Sequence, residues 1–282
     1  MSPSRLIAVP LAALLLAAGS ASAISAEEAY KLDNPAFDPP DERPPLVDPT
    51  LAEIAAAKKD PKAHPAHKAF LARAAKMKIP NDKAEKLWAD IVHGILGQDP
   101  AARGSAVAFM STEEMMHPAD GKGALWSGFK VAFQYAVMKG KQPLEAQPFY
   151  HLTHAIRFMR EKEDWECCAS PFFADLSRNY VKKLRGMVHI YLRRCEGGAI
   201  FKKVEWPTFD VTKATPVFHL LLPLTGPDEK DFKVKPEDIH EVDLNGKPLK
   251  GEASPMTSPA DIKKAIAAAT DACPVLVDHH KM

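Results

Sequence analysis

Residues 171–195 read PFFADLSRNYVKKLRGMVHIYLRRC, and the parsing of this stretch decides the fold. Phe172, Leu176, Tyr180, Leu184, Val188, Tyr191 and Cys195 recur every three or four residues, the period of one helix face, while Arg178, Lys182, Lys183, Arg185, His189 and Arg193 fall on the other. The stripe predicts one long amphipathic helix opened by Pro171. Gly186 is the one glycine inside it and the place where the helix breaks if it is not continuous.

That choice governs the four cysteines, Cys167, Cys168, Cys195 and Cys273. In an oxidising compartment an even count implies two disulfides, with three connectivities open. An unbroken helix rising about 1.5 Å per residue separates its ends by about 36 Å, whereas bridged Cα atoms lie within about 7 Å. Cys195 then pairs with Cys273, and Cys167 and Cys168 are a vicinal pair or free thiols. With a break at Gly186, Cys195 can reach Cys167 or Cys168.

Upstream, the apolar stretch Ala124 to Met138 reads as a helix surrounded by its neighbours at the centre of the core. Asp82 with Glu85 three residues on fits a capping box ahead of Leu87, Trp88, Ile91, Val92, Ile95 and Leu96, with Gly97 as the helix end. Asp99-Pro100 is an N-cap followed by proline at the first helical position. Downstream of Gly197-Gly198 the pattern turns to short β-branched and aromatic pieces: Ala199 to Trp206, Pro216 to Pro223 and Ile239 to Leu249. The last carries the hairpin dipeptide Asn245-Gly246. Ser258-Pro259 opens a terminal helix through about Thr270. The fold expected is mainly α: a helical bundle-like body over residues 51–196 and a small mixed α/β C-terminal extension over 197–282.

The first 50 residues read differently. Residues 1–23 combine Arg5, an apolar run from Leu6 to Ala18 and the small-residue ending Ala21-Ser22-Ala23, the pattern of a cleavable signal peptide. Its apolar run covers only about 20 Å of a hydrocarbon core about 30 Å thick. Export to the periplasm or secretion is the expectation, with no integral membrane segment in the mature chain. Residues 24–50 hold Pro35, Pro39, Pro40, Pro44, Pro45 and Pro49 and read as an extended arm.

Loss of Arg5 takes the 37 basic residues to 36, against 36 acidic ones. A nucleic-acid partner calls for a basic excess, so that class is set aside. No C-x-x-C-H, G-x-S-x-G, H-E-x-x-H or G-x-G-x-x-G occurs, which removes covalent haem attachment and the common hydrolase, zincin and dinucleotide signatures.

The candidates that remain are sparse. Glu114-x-x-His117 would put a carboxylate and an imidazole on one helix face, as di-metal bundles require, although Ser111 with Glu114 equally fits a capping box. The second Glu-x-x-His, Glu237 to His240, falls in a strand and turn region. His151 and His154 have a zinc or copper spacing, opposed by Arg157 and Arg160 on the same face. Met110, Met115, Met116 and His117 form a soft-ligand set suited to Cu(I), and methionine is equally a filler of irregular cores. Two function classes follow. The first is an exported soluble protein that binds a protein partner or small ligand. The second is a periplasmic redox protein holding copper or a non-covalent haem through His117, Met115, Met116, His151 and His154. A hydrolase whose acid and base come from distant segments is a third.

Overall fold

The computed structural model describes residues 49–127, 129–153, 169–193, 200–223, 239–243 and 247–270. Among them helices dominate, accompanied by one small mixed sheet. No helix among the described residues is long and apolar enough to cross a membrane.

The N-terminal layer is helical. Helix α1 (Leu51–Ala57) is closed by a capping box in which Thr50 and Glu53 satisfy each other's backbone donors. Helices α2 (His67–Lys76) and α3 (Asn81–Ile95) follow, then α4 (Pro100–Met110), whose Asp99 carboxylate accepts from the N–H groups of Ala101 and Ala102 as its sequence implies. The capping box expected at Asp82 and Glu85 is absent. Pro80 is the N-cap of α3, and Glu85 instead meets His67 Nε2 at 3.0 Å and Lys62 at 3.6 Å. Ser111 likewise closes α4 at its C-terminus, and its hydroxyl accepts from Asn179. Glu114 lies in the turn beyond, so Glu114 and His117 do not share a helix face.

The stretch 124–138 is a strand followed by a helix: β1 (Ala124–Ser127) leads into α5 (Phe129–Met138). A strand flanked by a neighbouring strand and buried on its faces is as continuously apolar as a buried helix, which is why the two periods could not be told apart. A short helix over Tyr150–Thr153, α6, precedes α7 (Ser170–Lys183).

Residues 171–195 also change element midway. Helix α7 ends at Lys183, where the Arg185 guanidinium donates to the carbonyls of Lys182 and Leu184 at 2.8 and 2.7 Å, taking up carbonyls the helix leaves unpaired. Gly186 follows at φ +64°, a left-handed conformation that side chains disfavour, and β2 (Gly186–Arg193) begins. The single long helix is therefore overturned, and with it the distance argument that kept Cys195 from Cys167 and Cys168. All four cysteines lie outside the described residues.

Beyond it, the described part (200–206) of the piece expected as a strand over 199–206 is helical. Phe201–Glu205 forms a π turn in which Trp206 N–H bonds Phe201 O, continued by α8 (Trp206–Thr208). Packing of Phe201 and Trp206 outweighs the β propensity of the piece. Strands β3 (Ala214–Pro223) and β4 (Ile239–Val242) and helix α9 (Pro259–Thr270) stand where the sequence puts them. The Asn245-Gly246 turn itself lies outside the described residues. Its flanks pair antiparallel, with Asp243 N–H to Lys247 O and Leu249 N–H to Glu241 O, both at 2.8 Å.

The sheet order is β1-β2-β3-β4, with β1, β2 and β3 parallel and β4 antiparallel. Strands from both sides of residue 197 therefore share one sheet. One face carries Val188, Ile190, Leu192, Phe218 and Leu220 into the large core formed with α2, α3, α4 and α7. The other carries Ala124, Tyr191 and Leu221 against Ala132, Tyr135 and Ala136 of α5. Buried Tyr180 joins the layers at the edge of β1: its oxygen accepts from Ala124 N–H at 3.1 Å and meets the carbonyl of Gln142.

Candidate functional site

On the α5 face the alternation of β2, β3 and β4 brings polar side chains into line. His189 and Tyr191 leave β2 on that face; the register places Val217 beside His189, His219 beside Tyr191, and Glu241 beside Leu221. The result is a row: His189 Nδ1 lies 2.9 Å from His219 Nε2, His219 Nδ1 lies 2.9 Å from Glu241 Oε2, and the Tyr135 hydroxyl donates to Glu241 Oε1 at 2.8 Å. Tyr191 stacks on His219 with ring centres 4.3 Å apart, which fixes the imidazole plane.

The electrostatics of the row follow from these contacts. Burial by itself would raise the Glu241 carboxyl, but the bond and charge of His219, the Tyr135 hydroxyl and Lys139 outweigh it and hold it below the usual carboxylate range. Burial and the Glu241 hydrogen bond push the Tyr135 phenol up, so it keeps its proton and donates. Burial, then the charges of Lys141 and His219, push His189 down to about 4. Its Nε2 is buried and has no hydrogen-bond partner among the described residues. These donors stand in series, each blocked by the next, whereas a metal needs donors that converge. Among the described residues no group of three or more His, Cys, Asp and Glu converges in that way.

A groove opens on the large-core side of the same sheet. Among the described residues β4 pairs with Leu220 to Pro223, and no described strand pairs with the first half of β3 on that side. The Met256 N–H takes Pro216 O there at 2.9 Å, and α9 then lies over the gap. The space left, about 540 Å³, is walled by Trp206, Pro216, Met256, Ile262 and Ile266, with Lys263, Thr215 and Thr257 supplying polar groups. Trp206 is held in place by Phe209, stacked at 5.5 Å, and by Phe218 at 5.6 Å.

The metal candidates read from the sequence are dispersed. Met110, Met115 and Met116 are core residues, while His117 is on the surface, its imidazole 3.5 Å from Glu113 and its backbone N–H bonded to Gln147. His151 lies on α6, His154 falls outside the described residues, and His240 is on β4 opposite Leu222. The row of His189, His219, Glu241 and Tyr135 escaped sequence reading. Its signal is polar residues at alternate positions of strand-like runs, in Val188-His189-Ile190-Tyr191-Leu192 and Val217-Phe218-His219-Leu220. The chain matches no protein-family model and no curated protein, so function is read from these residues alone.

Proposed function

We propose that the protein is an exported binding protein whose ligand is a small, mostly apolar molecule carrying one anionic group. The observation that carries this reading is the groove beside β3. Its volume falls within the range of about 300–1,000 Å³ common for small-molecule sites, its walls are aromatic and aliphatic, and Lys263 is its cation. Every wall residue belongs to the segment after residue 197, so in this reading the elements before it, β1 and β2 among them, serve as scaffold. Export rests on the signal-peptide pattern of residues 1–23 and places the mature N-terminus at about Ile24, which intact-mass measurement of the exported protein tests.

Anilinonaphthalenesulfonate has the required chemistry, an aromatic body with a sulfonate. It is expected to bind the folded protein at one saturable site, with affinity at least tenfold weaker after Ile262→Glu and several-fold weaker after Lys263→Ala. Circular dichroism establishes that each variant is folded. Unchanged affinity in a folded Ile262→Glu variant overturns the reading.

A further inference from the structure

Between the C-terminal end of α7 and the turn from α8 into β3 lies a second cavity, of about 130 Å³, whose charged and polar lining is Lys182, Arg185, Thr208, Asp210 and Lys213. It shares no lining residue with the groove beside β3. Three cations against one carboxylate leave a net charge of two to be balanced. The volume lies well below the about 300 Å³ at which sites for larger organic molecules begin, so a small ion suits it.

Two of the cations are held in place by the protein. The Nη1 group of Arg185 donates to Lys182 O and Leu184 O at 2.8 and 2.7 Å, which pins the guanidinium and covers the carbonyl end of α7 that would otherwise repel an anion. Its Nε and Nη2 donors are left for a ligand. Lys213 Nζ lies 3.0 Å from Asp210 Oδ2, and an ammonium has two further donors. Lys183, next along α7, is taken by Glu113 at 2.7 Å and adds nothing here.

The other lining groups are acceptors. Asp210 Oδ1 takes the Thr212 N–H at 3.0 Å and its hydroxyl at 2.6 Å, and these bonds with that of Lys213 hold the carboxyl down to about 2. A carboxylate has about four lone pairs, so one on Oδ2 stays unclaimed. The Thr208 hydroxyl already donates to Val204 O at 2.6 Å and therefore presents lone pairs and no donor. A dianion that fills this cavity must also bring an O–H. Sulfate and a fully ionised phosphate monoester have none, whereas inorganic HPO4²⁻ has one.

We propose that this cavity is a site for inorganic hydrogen phosphate, in which Lys182, Arg185 and Lys213 hold the ionised oxygens and the phosphate O–H donates to Asp210 Oδ2. The cations supply attraction for any oxyanion, and the fork of Arg185 suits a tetrahedral one. Asp210 supplies the choice among them, because an ion without a hydrogen sets its lone pairs against a carboxylate.

Titration calorimetry of the full protein at pH 8 tests this with inorganic phosphate, sulfate and methyl phosphate. All three are then chiefly dianions of similar shape, and only phosphate carries an O–H. One saturable phosphate site is expected, with sulfate and methyl phosphate at least tenfold weaker. Arg185→Gln should weaken phosphate several-fold. Asp210→Asn separates the proposal from simple attraction to a basic patch. A patch relieved of its carboxylate would bind all three ions more tightly and keep their ranking, whereas the proposed site should lose most of its preference for phosphate. Circular dichroism establishes that each variant is folded. The absence of saturable phosphate binding, equal affinity for sulfate, or an unchanged preference in folded Asp210→Asn overturns the proposal.

Discussion

Two glutamates on opposite sides of the sheet, Glu241 half-buried and Glu205 buried, have opposite charge states. Glu241, on β4, faces α5 and receives hydrogen bonds from Tyr135 and His219, which hold it ionised. Glu205, at the end of the π turn in the layer with α7, is buried more completely. It has the Ser177 hydroxyl as partner and the negative charge of Glu145 nearby, so burial and that charge push it up to about 8. Burial alone does not set the ionisation of a carboxyl; the donors and charges aimed at it do. Glu241 anchors a row of hydrogen-bonded side chains, while Glu205 keeps its proton at neutral pH and behaves as a neutral polar group inside a helical layer.

The largest effect should come from the alkaline side. With its folded-state value raised to about 8 from 4.5, Glu205 holds a proton that the unfolded chain has lost. Its contribution is complete below about pH 4.5 and disappears as pH rises through about 8. Between about pH 6.5 and 8 this amounts to about 2 kcal/mol, allowing 1.36 kcal/mol per unit. Denaturant unfolding across that window should show the decline in the unaltered protein and a flat profile in Glu205→Gln, which has no proton to lose. A decline of equal slope in the variant would remove the distinction between the two carboxyls.

The acid side should show the mirror image on the α5 face. His189 is neutral when folded down to about pH 4, whereas the unfolded chain takes up a proton near 6.5. Stability is therefore complete above about 6.5 and lost as pH falls toward about 4. Partial exposure of the ring reduces the effect to about 2 kcal/mol. His189→Gln should abolish this limb and leave the alkaline one intact. Gly186→Ala provides the control, since β2 contributes side chains to both faces. At φ +64°, a Cβ costs about 1–2 kcal/mol, and the loss should be the same at every pH. A pH-dependent loss would mean that the turn at Gly186 governs the titrating groups as well as the strand.

The same two faces explain what the sequence made legible. Caps and breakers with a local mechanism were readable: Asp99-Pro100 opens α4, Pro259 opens α9, and Gly186 marks the break that the stripe from Phe172 to Cys195 obscured. That stripe misled because Leu184, Val188 and Tyr191 fit a helical period, while Val188, Ile190 and Leu192 fit a period of two over the same residues. The mostly apolar run 124–138 was ambiguous for a related reason: it holds a strand and a helix that are both buried. The polar row was beyond reach because its members are far apart in the chain. Tyr135 and Glu241 are 106 residues apart, and the packing of α5 on the sheet brings them within 2.8 Å. The groove was hidden likewise, since it exists because β4 stops short of the first half of β3.

The finest test of the contrast is to remove one hydroxyl from each glutamate. Tyr135→Phe deletes the donor to Glu241 Oε1, and Ser177→Ala deletes the donor to Glu205. Both bonds lower the carboxyl they touch, so both deletions should raise it. The energetic outcomes should differ, because a hydrogen bond to an ionised acceptor is worth more than one to a neutral group. At pH 7 Tyr135→Phe leaves a half-buried carboxylate one donor short and should cost about 1.5 kcal/mol. Ser177→Ala leaves a carboxyl that already holds its proton, so its cost should be about 0.5 kcal/mol. Raising the pH should reverse the ranking. As Glu205 ionises above about 8, the missing Ser177 hydroxyl becomes the larger loss, while Glu241 is ionised throughout and the cost of Tyr135→Phe stays level. Denaturant unfolding of both variants at pH 7 and pH 9 measures this crossing. Parallel profiles would show that the two carboxyls share one charge state and that the donors around them do not set it.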